Sequence, residues 1–72
     1  MPMINVQLLE GRTPDQKSEL IERLATVTRE TLCVPDEAIR IILTEVAPEH
    51  WGVGSRSMAV LRPALQADGA DR

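Results

Sequence analysis

Two short apolar runs flank one long stretch with helical spacing, and that order leaves few folds open to the chain. MINVQLL at residues 3–9 places Ile4, Val6 and Leu8 on one strand face and Asn5 and Gln7 on the other, a period-2 pattern. AIRIILTEV at 38–46 is nearly continuous in apolar and β-branched residues, as a strand covered on both faces would be. Between them, TPDQ at 13–16 gathers the signals of a helix start: Thr13 as N-cap, Pro14 at the first helical position, Asp15 in the first turn and Gln16 completing a capping box. Leu20, Ile21, Leu24, Ala25, Val27, Thr28 and Leu32 continue at helical spacing as one apolar stripe of about five turns. Pro35 biases Val34 away from the α region, so the helix ends near Leu32 or Cys33. Strand, helix and strand in this order form a βαβ unit, with parallel strands and a right-handed crossover.

The fold class is therefore α+β: a single β-α-β unit with parallel strands and a short C-terminal hairpin. Pro48 ends the second strand, EHWGVGSRS at 49–57 supplies turn residues, and MAVLR at 58–62 reads as a short hairpin strand. The tail PALQADGADR, residues 63–72, is expected to be mobile, and residues 1–72 make one domain without an internal repeat or linker.

At 72 residues such a domain is thin. A lone core of this size rarely supplies more than about 3–5 kcal/mol. Chains this short usually add disulfides, a metal or partner subunits. Cys33 is the only cysteine and His50 the only histidine, so neither an intrachain disulfide nor a Cys/His metal cluster is available, and no cofactor motif appears. Yet 43% of the residues are hydrophobic. Self-assembly is the remaining way to cover that surface, which predicts an obligate homo-oligomer. The formal charge is −3 with no Lys/Arg stripe, which argues against nucleic acid as the main partner. No apolar run approaches the ~20 residues that span a bilayer, and no charged leader precedes an apolar stretch. With an unpaired cysteine, these features fit a cytoplasmic protein that does not engage membranes.

The residues that could carry chemistry are few. Pro2 follows the initiator methionine, and a small residue there normally allows Met1 to be removed. Pro2 would then be an N-terminal secondary amine. Arg40 stands between Ile39 and Ile41 in a strand otherwise fit for a core. Buried unpaired, its guanidinium would be prohibitively costly, so it meets a carboxylate across a subunit boundary (Glu45 or Glu37) or grips an anion at that seam. Arg12 follows Gly11 at the end of the first strand, either as a solvated turn residue or as an anion ligand, since loops at strand ends commonly hold such ligands. Trp51 is the only aromatic residue and lies in HWGVG, as an interface plug or a pocket wall. Cys33 reads as inert packing and His50 as a surface residue.

In order and spacing, these elements resemble the 4-oxalocrotonate tautomerase (2-hydroxymuconate tautomerase) family of the tautomerase superfamily. The likeness runs from Pro2 to about residue 62 and includes LLEGR at 8–12 with the capped helix after it, VPDEAIRIILTEV at 34–46 and HWGVG at 50–54. It implies a β-α-β subunit in a homohexamer, a trimer of dimers, with active sites shared between subunits and no cofactor. Pro2 matches the catalytic proline, Arg12 the arginine that binds the distal carboxylate, and Arg40 the arginine, from a neighbouring subunit, that binds the 2-oxo acid end. Trp51 falls where an aromatic residue, commonly phenylalanine, closes the pocket, and Leu9 and Val53 match apolar wall positions. The larger tryptophan bears on substrate size.

The chemistry of such a site is coherent. Moving a proton between oxygen and carbon of a dienol needs one group that accepts and donates near neutral pH. A free α-amine in a short peptide titrates at about pH 7.7–8, and an apolar pocket with nearby guanidinium groups would lower a proline amine towards neutrality. The implied reaction is isomerisation of a 2-hydroxydienoate such as 2-hydroxymuconate to its conjugated 2-oxo isomer, within aromatic catabolism. Within the superfamily, the alternatives are a hydratase or dehalogenase of unsaturated acids, or a biosynthetic tautomerase with a larger substrate. The first needs a carboxylate to activate water, and residues 51–56 offer none. Outside it, an oligomeric structural module gives no reason for arginine inside AIRII. A small DNA-binding dimer would need basic residues on a strand that has none.

Overall fold

The structure, a computed structural model, describes residues 1–61. Strand β1 (Met3–Leu9) is followed by helix α1 (Pro14–Leu32), strand β2 (Arg40–Val46) and a small hairpin of β3 (Gly52–Val53) and β4 (Arg56–Ser57). β1 and β2 pair in parallel from Met3 opposite Arg40 to Leu9 opposite Val46. The parallel arrangement follows from the length of the helical crossover between the strands.

Local chemistry sets the helix ends. Thr13 sits in extended conformation (φ −74°, ψ 158°). Its Oγ1 accepts from Gln16 N at 3.1 Å, while its own N–H donates to Gln16 Oε1 at 3.0 Å. The capping box thereby satisfies two donors that a helix start leaves orphaned. The chain enters that cap through Gly11 at φ 123°, a conformation suited to glycine. At the far end Cys33 adopts the left-handed conformation (φ 57°, ψ 49°) as C-cap. It is exposed, so its role is to end the helix rather than to pack, contrary to the sequence expectation.

Sheet faces are read from burial. Ile4, Val6 and Leu8 of β1 and Ile41 and Leu43 of β2 are half-buried beneath α1, which contributes Leu20, Leu24, Ala25 and Thr28. The Thr28 hydroxyl is satisfied by donating to Leu24 O at 2.7 Å. The opposite face of the sheet carries Met3, Asn5, Gln7, Arg40, Ile42 and Thr44 and is open in the single chain, with Met3 52% and Ile42 46% exposed. The two-sided burial expected for β2 is thus absent within one subunit. The helix stripe is likewise only partly used, because Ile21, Val27 and Leu32 remain exposed. Among the described residues Ile39, 8% exposed, is the one buried hydrophobic residue. A core this small leaves much apolar surface for other copies to cover.

Two boundaries differ from expectation. β2 begins at Arg40 rather than residue 38, because Asp36–Ala38 form a 3₁₀ turn whose C-cap Ile39 donates to Asp36 O at 3.0 Å. The hairpin lies inside the stretch read as turn, not at MAVLR: β3 and β4 are joined by Gly54-Ser55, and residues 58–61 are helical. Gly54 has φ 63° while Ser55 has negative φ, which makes a type II′ turn matched to the twist of a hairpin. The tail at 63–72 lies outside the described residues.

Candidate active site

The strand framework distributes the candidate residues over three separate places. Pro2 lies at the start of β1, half-buried, with its carbonyl accepting from Arg40 N at 3.1 Å. Strand parity puts Pro2 with Ile4, Val6 and Leu8 on the helix-facing side. Met1 before it is 83% exposed, open to the removal that would free the proline nitrogen.

Arg40 opens β2 at the same end of the sheet, but on the other face, in line with Ile42 and Thr44. It is not in a core. The guanidinium is exposed, and its Nη1 donates to Glu37 O at 2.7 Å and Ile39 O at 3.3 Å. Neither the Glu37 nor the Glu45 carboxylate of its own chain pairs with it. The ion pairs among the described residues are Lys17–Glu45, Arg23–Glu19 and Arg29–Asp36. Held, among the described residues, by two backbone carbonyls, the guanidinium has further donors in its fork that can take an anion.

Leu9, Arg12, Trp51 and Val53 belong to the opposite end. Leu9 closes β1 opposite Val46, and Glu10 N donates to Val46 O at 3.1 Å, which anchors the turn that carries Arg12. Arg12 is exposed and lines a cavity of about 190 Å³ with Leu8, Gln16, Lys17 and Leu20. Trp51 follows the 3₁₀ turn Pro48–His50 that leaves this end of β2. It is half-buried, its N–H donates to Pro48 O at 3.3 Å, and its carbonyl accepts from Met58 N at 2.8 Å. Val53, on the hairpin, is exposed. His50 is also exposed, as expected of a surface residue.

A seven-residue strand therefore separates Pro2 from the Arg12 turn, roughly 23 Å at about 3.3 Å per residue. Pro2 and Arg40 are neighbours along the backbone but lie on opposite faces. One chain does not bring the proline and either arginine to one point. The pairing that sequence reasoning missed is Lys17 Nζ with Glu45 Oε2 at 3.1 Å, which ties the start of α1 to the end of β2. Its signal was present: Glu45 shares strand parity with Ile41 and Leu43, where an apolar residue would be expected. Among the described residues no group of three His, Cys, Asp or Glu side chains could hold a metal ion, and no helix is long and apolar enough to cross a membrane.

Residues 2–60 match the tautomerase family, described as "Tautomerase enzyme". The 2-hydroxymuconate tautomerase of Pseudomonas putida is 34% identical over 62 residues, 86% of this chain and 98% of that protein. Among solved structures, TomN, a 4-oxalocrotonate tautomerase homologue in the tomaymycin biosynthetic pathway, superposes with a TM-score of 0.83 at 48% identity, covering 86% of this chain and 95% of its own. A heterohexamer 4-oxalocrotonate tautomerase from Chloroflexus aurantiacus gives 0.80 at 42% identity, covering 86% and 100%. The chain belongs to the tautomerase superfamily, in its 4-oxalocrotonate tautomerase-like family, and is an enzyme of the isomerase class.

Proposed function

We propose that this tautomerase isomerises a 2-hydroxydienoate of the 2-hydroxymuconate type to its conjugated 2-oxo form, without a cofactor, in a homohexamer whose sites are shared between copies. The separation of the candidate residues within one chain carries this reading. A six-carbon substrate, with five carbon–carbon bonds near 1.5 Å, spans less than about 8 Å. It cannot reach from Pro2 of one chain to Arg12 of the same chain. The residues meet only if copies of the subunit bring the two ends together, and the exposed sheet face and helix edges supply surface for that contact. The heterohexamer among the similar structures supports an assembly of six subunits.

In such a site Pro2, freed of Met1, has a basic secondary amine. Its lone pair takes the 2-hydroxyl proton, the electrons move through the diene, and the proton returns to carbon. Arg40 of a neighbouring copy stabilises the negative charge that develops on the 2-oxygen and its carboxylate. Arg12 of a further end holds the distal carboxylate and fixes the dienol beneath the amine. Leu9, Trp51 and Val53 form the apolar wall that keeps water out and keeps the amine unprotonated. While Met1 stays attached the Pro2 nitrogen is an amide with no basic lone pair, so its removal is required for the reaction.

A second reading is favoured by one observation. TomN is more similar in sequence than the Pseudomonas putida enzyme, 48% against 34%. With Trp51 as the aromatic wall, a larger biosynthetic enol acid is the alternative substrate for the same residues. The deciding experiment is ultraviolet absorbance of 2-hydroxymuconate on addition of protein shown by mass to lack Met1. Rapid growth of the conjugated ketone band supports the first reading. No acceleration over buffer refutes it and turns the search to larger enol acids.

A further inference from the structure

Within the cavity beside Arg12 lies a second cation, Lys17, whose charge is offset by a carboxylate that strand pattern alone does not explain. Glu45 occupies a helix-facing position of β2, next to Leu8 of β1 in the register, where Ile41 and Leu43 precede it with apolar side chains. Its Oε2 holds Lys17 Nζ at 3.1 Å, with the two side chains 29% and 35% exposed. Arg12, Gln16 and Lys17 supply the polar lining of the cavity, and Leu8 and Leu20 the apolar lining. Gln16 is committed to the helix cap, so the charged side chains that line the cavity are those of Arg12 and Lys17, the latter paired with Glu45.

We propose that Lys17 is a second carboxylate-facing cation at the distal end of the site, and that Glu45 attenuates it and so sets how strongly the site prefers dicarboxylates over monocarboxylates. This rests on the assignment of Arg12 to a substrate carboxylate. With both partners present, the pair is nearly neutral and Arg12 is the uncommitted cation. Removal of Glu45 exposes a full positive charge beside the distal carboxylate, and removal of Lys17 leaves an uncompensated negative one. The effect is confined to ligands that carry the distal carboxylate, because Lys17 lines the same cavity as Arg12, the residue assigned to that carboxylate.

The test measures dissociation constants by calorimetry on the assembled protein, for hexa-2,4-dienedioate and for hexa-2,4-dienoate, which replaces the distal carboxylate by a methyl group. The readout is the ratio of the two constants, the preference for the diacid. Glu45→Gln raises that preference about threefold to tenfold, and Lys17→Met lowers it by a similar factor, for one charge at the margin of a partly screened cavity. The double variant returns it close to the wild-type value, and Lys17→Arg, which keeps the charge and the pair, retains it. A loss of packing would weaken both ligands together, and that result, or a preference unmoved by either single variant, overturns the proposal. Turnover of 2-hydroxymuconate is recorded in parallel. An active enzyme with an unmoved preference refutes the role of the pair alone, whereas the predicted pattern in a protein inactive on that substrate refutes the proposed reaction alone.

Discussion

Mixed assemblies test the shared site most directly. In the proposed mechanism Pro2→Ala removes the base from every site its chain supplies, and Arg12→Ala removes the distal clamp. At substrate concentrations below the wild-type KM the Pro2 variant alone is nearly inactive, and the Arg12 variant alone keeps about a tenth of the wild-type rate or less. In an equimolar, randomly assembled mixture the two defects are drawn independently if the proline and the arginine of one site come from different chains. Half the sites then receive an intact proline and half of those an intact arginine, so about one quarter of sites are whole. If both came from one chain, every site would carry a defect and the mixture would be no more active than the Arg12 variant alone. The geometry predicts the first result. An extended Arg12 side chain and a six-carbon substrate together reach about 15 Å, against roughly 23 Å of strand between the two ends. The assay is initial rate against 2-hydroxymuconate after the variants are unfolded together and reassembled, with each variant reassembled alone as control. Recovery near a quarter of the wild-type rate supports the shared site. A mixture no more active than its components refutes the reasoning, and the same design with Arg40→Ala tests the inference from opposite sheet faces.

Other expectations follow from the same geometry. Pro2→Ala lowers kcat by about 10²–10⁴-fold with unchanged circular dichroism, and protein that retains Met1, separated by mass, shows the same loss. Steady-state kinetics distinguish the arginines: Arg12→Ala raises KM about tenfold or more with kcat little changed, as expected for a lost charge-assisted clamp, whereas Arg40→Ala lowers kcat by about 10²–10³-fold. Cys33→Gly is neutral or stabilising by up to about 1 kcal/mol, because glycine adopts the left-handed C-cap without a Cβ penalty, while Cys33→Val destabilises by about 1–2 kcal/mol. Thermal unfolding at fixed protomer concentration checks both, since the stability of an oligomer depends on that concentration.

The βαβ unit was legible because each element carried its own punctuation. Thr13-Pro14-Asp15-Gln16 marked one helix end, Pro35 bounded the other, and period-2 spacing marked β1. The hairpin was misplaced by a few residues because its strands are too short to show a period. The signal that locates it is Gly54-Ser55 between Val53 and Arg56, a two-residue turn of the kind a type II′ hairpin needs. Cys33 was misread because its left-handed backbone is not written in its side chain, and an apolar residue after a helix face looks like packing. The apolar character of β2 predicts cover on both faces, yet one chain supplies cover for only one.

That shortfall and the position of Arg40 have one physical explanation. Ile42 on the open face of β2, with Met3 beside it on β1, is apolar surface that a monomer has no reason to keep. The arginine at the head of that face is held, among the described residues, by two carbonyls of its own chain. Covering the face with another copy removes water from the isoleucine and methionine and lowers the local dielectric around the guanidinium. In the proposed assembly the same contact would strengthen the attraction of Arg40 for an anion and bring it towards the proline of another copy. Assembly and catalysis are then coupled through one surface. Dilution below the dissociation constant of the oligomer should abolish turnover in step with the loss of assembly. A dissociated subunit that kept full activity would break the link.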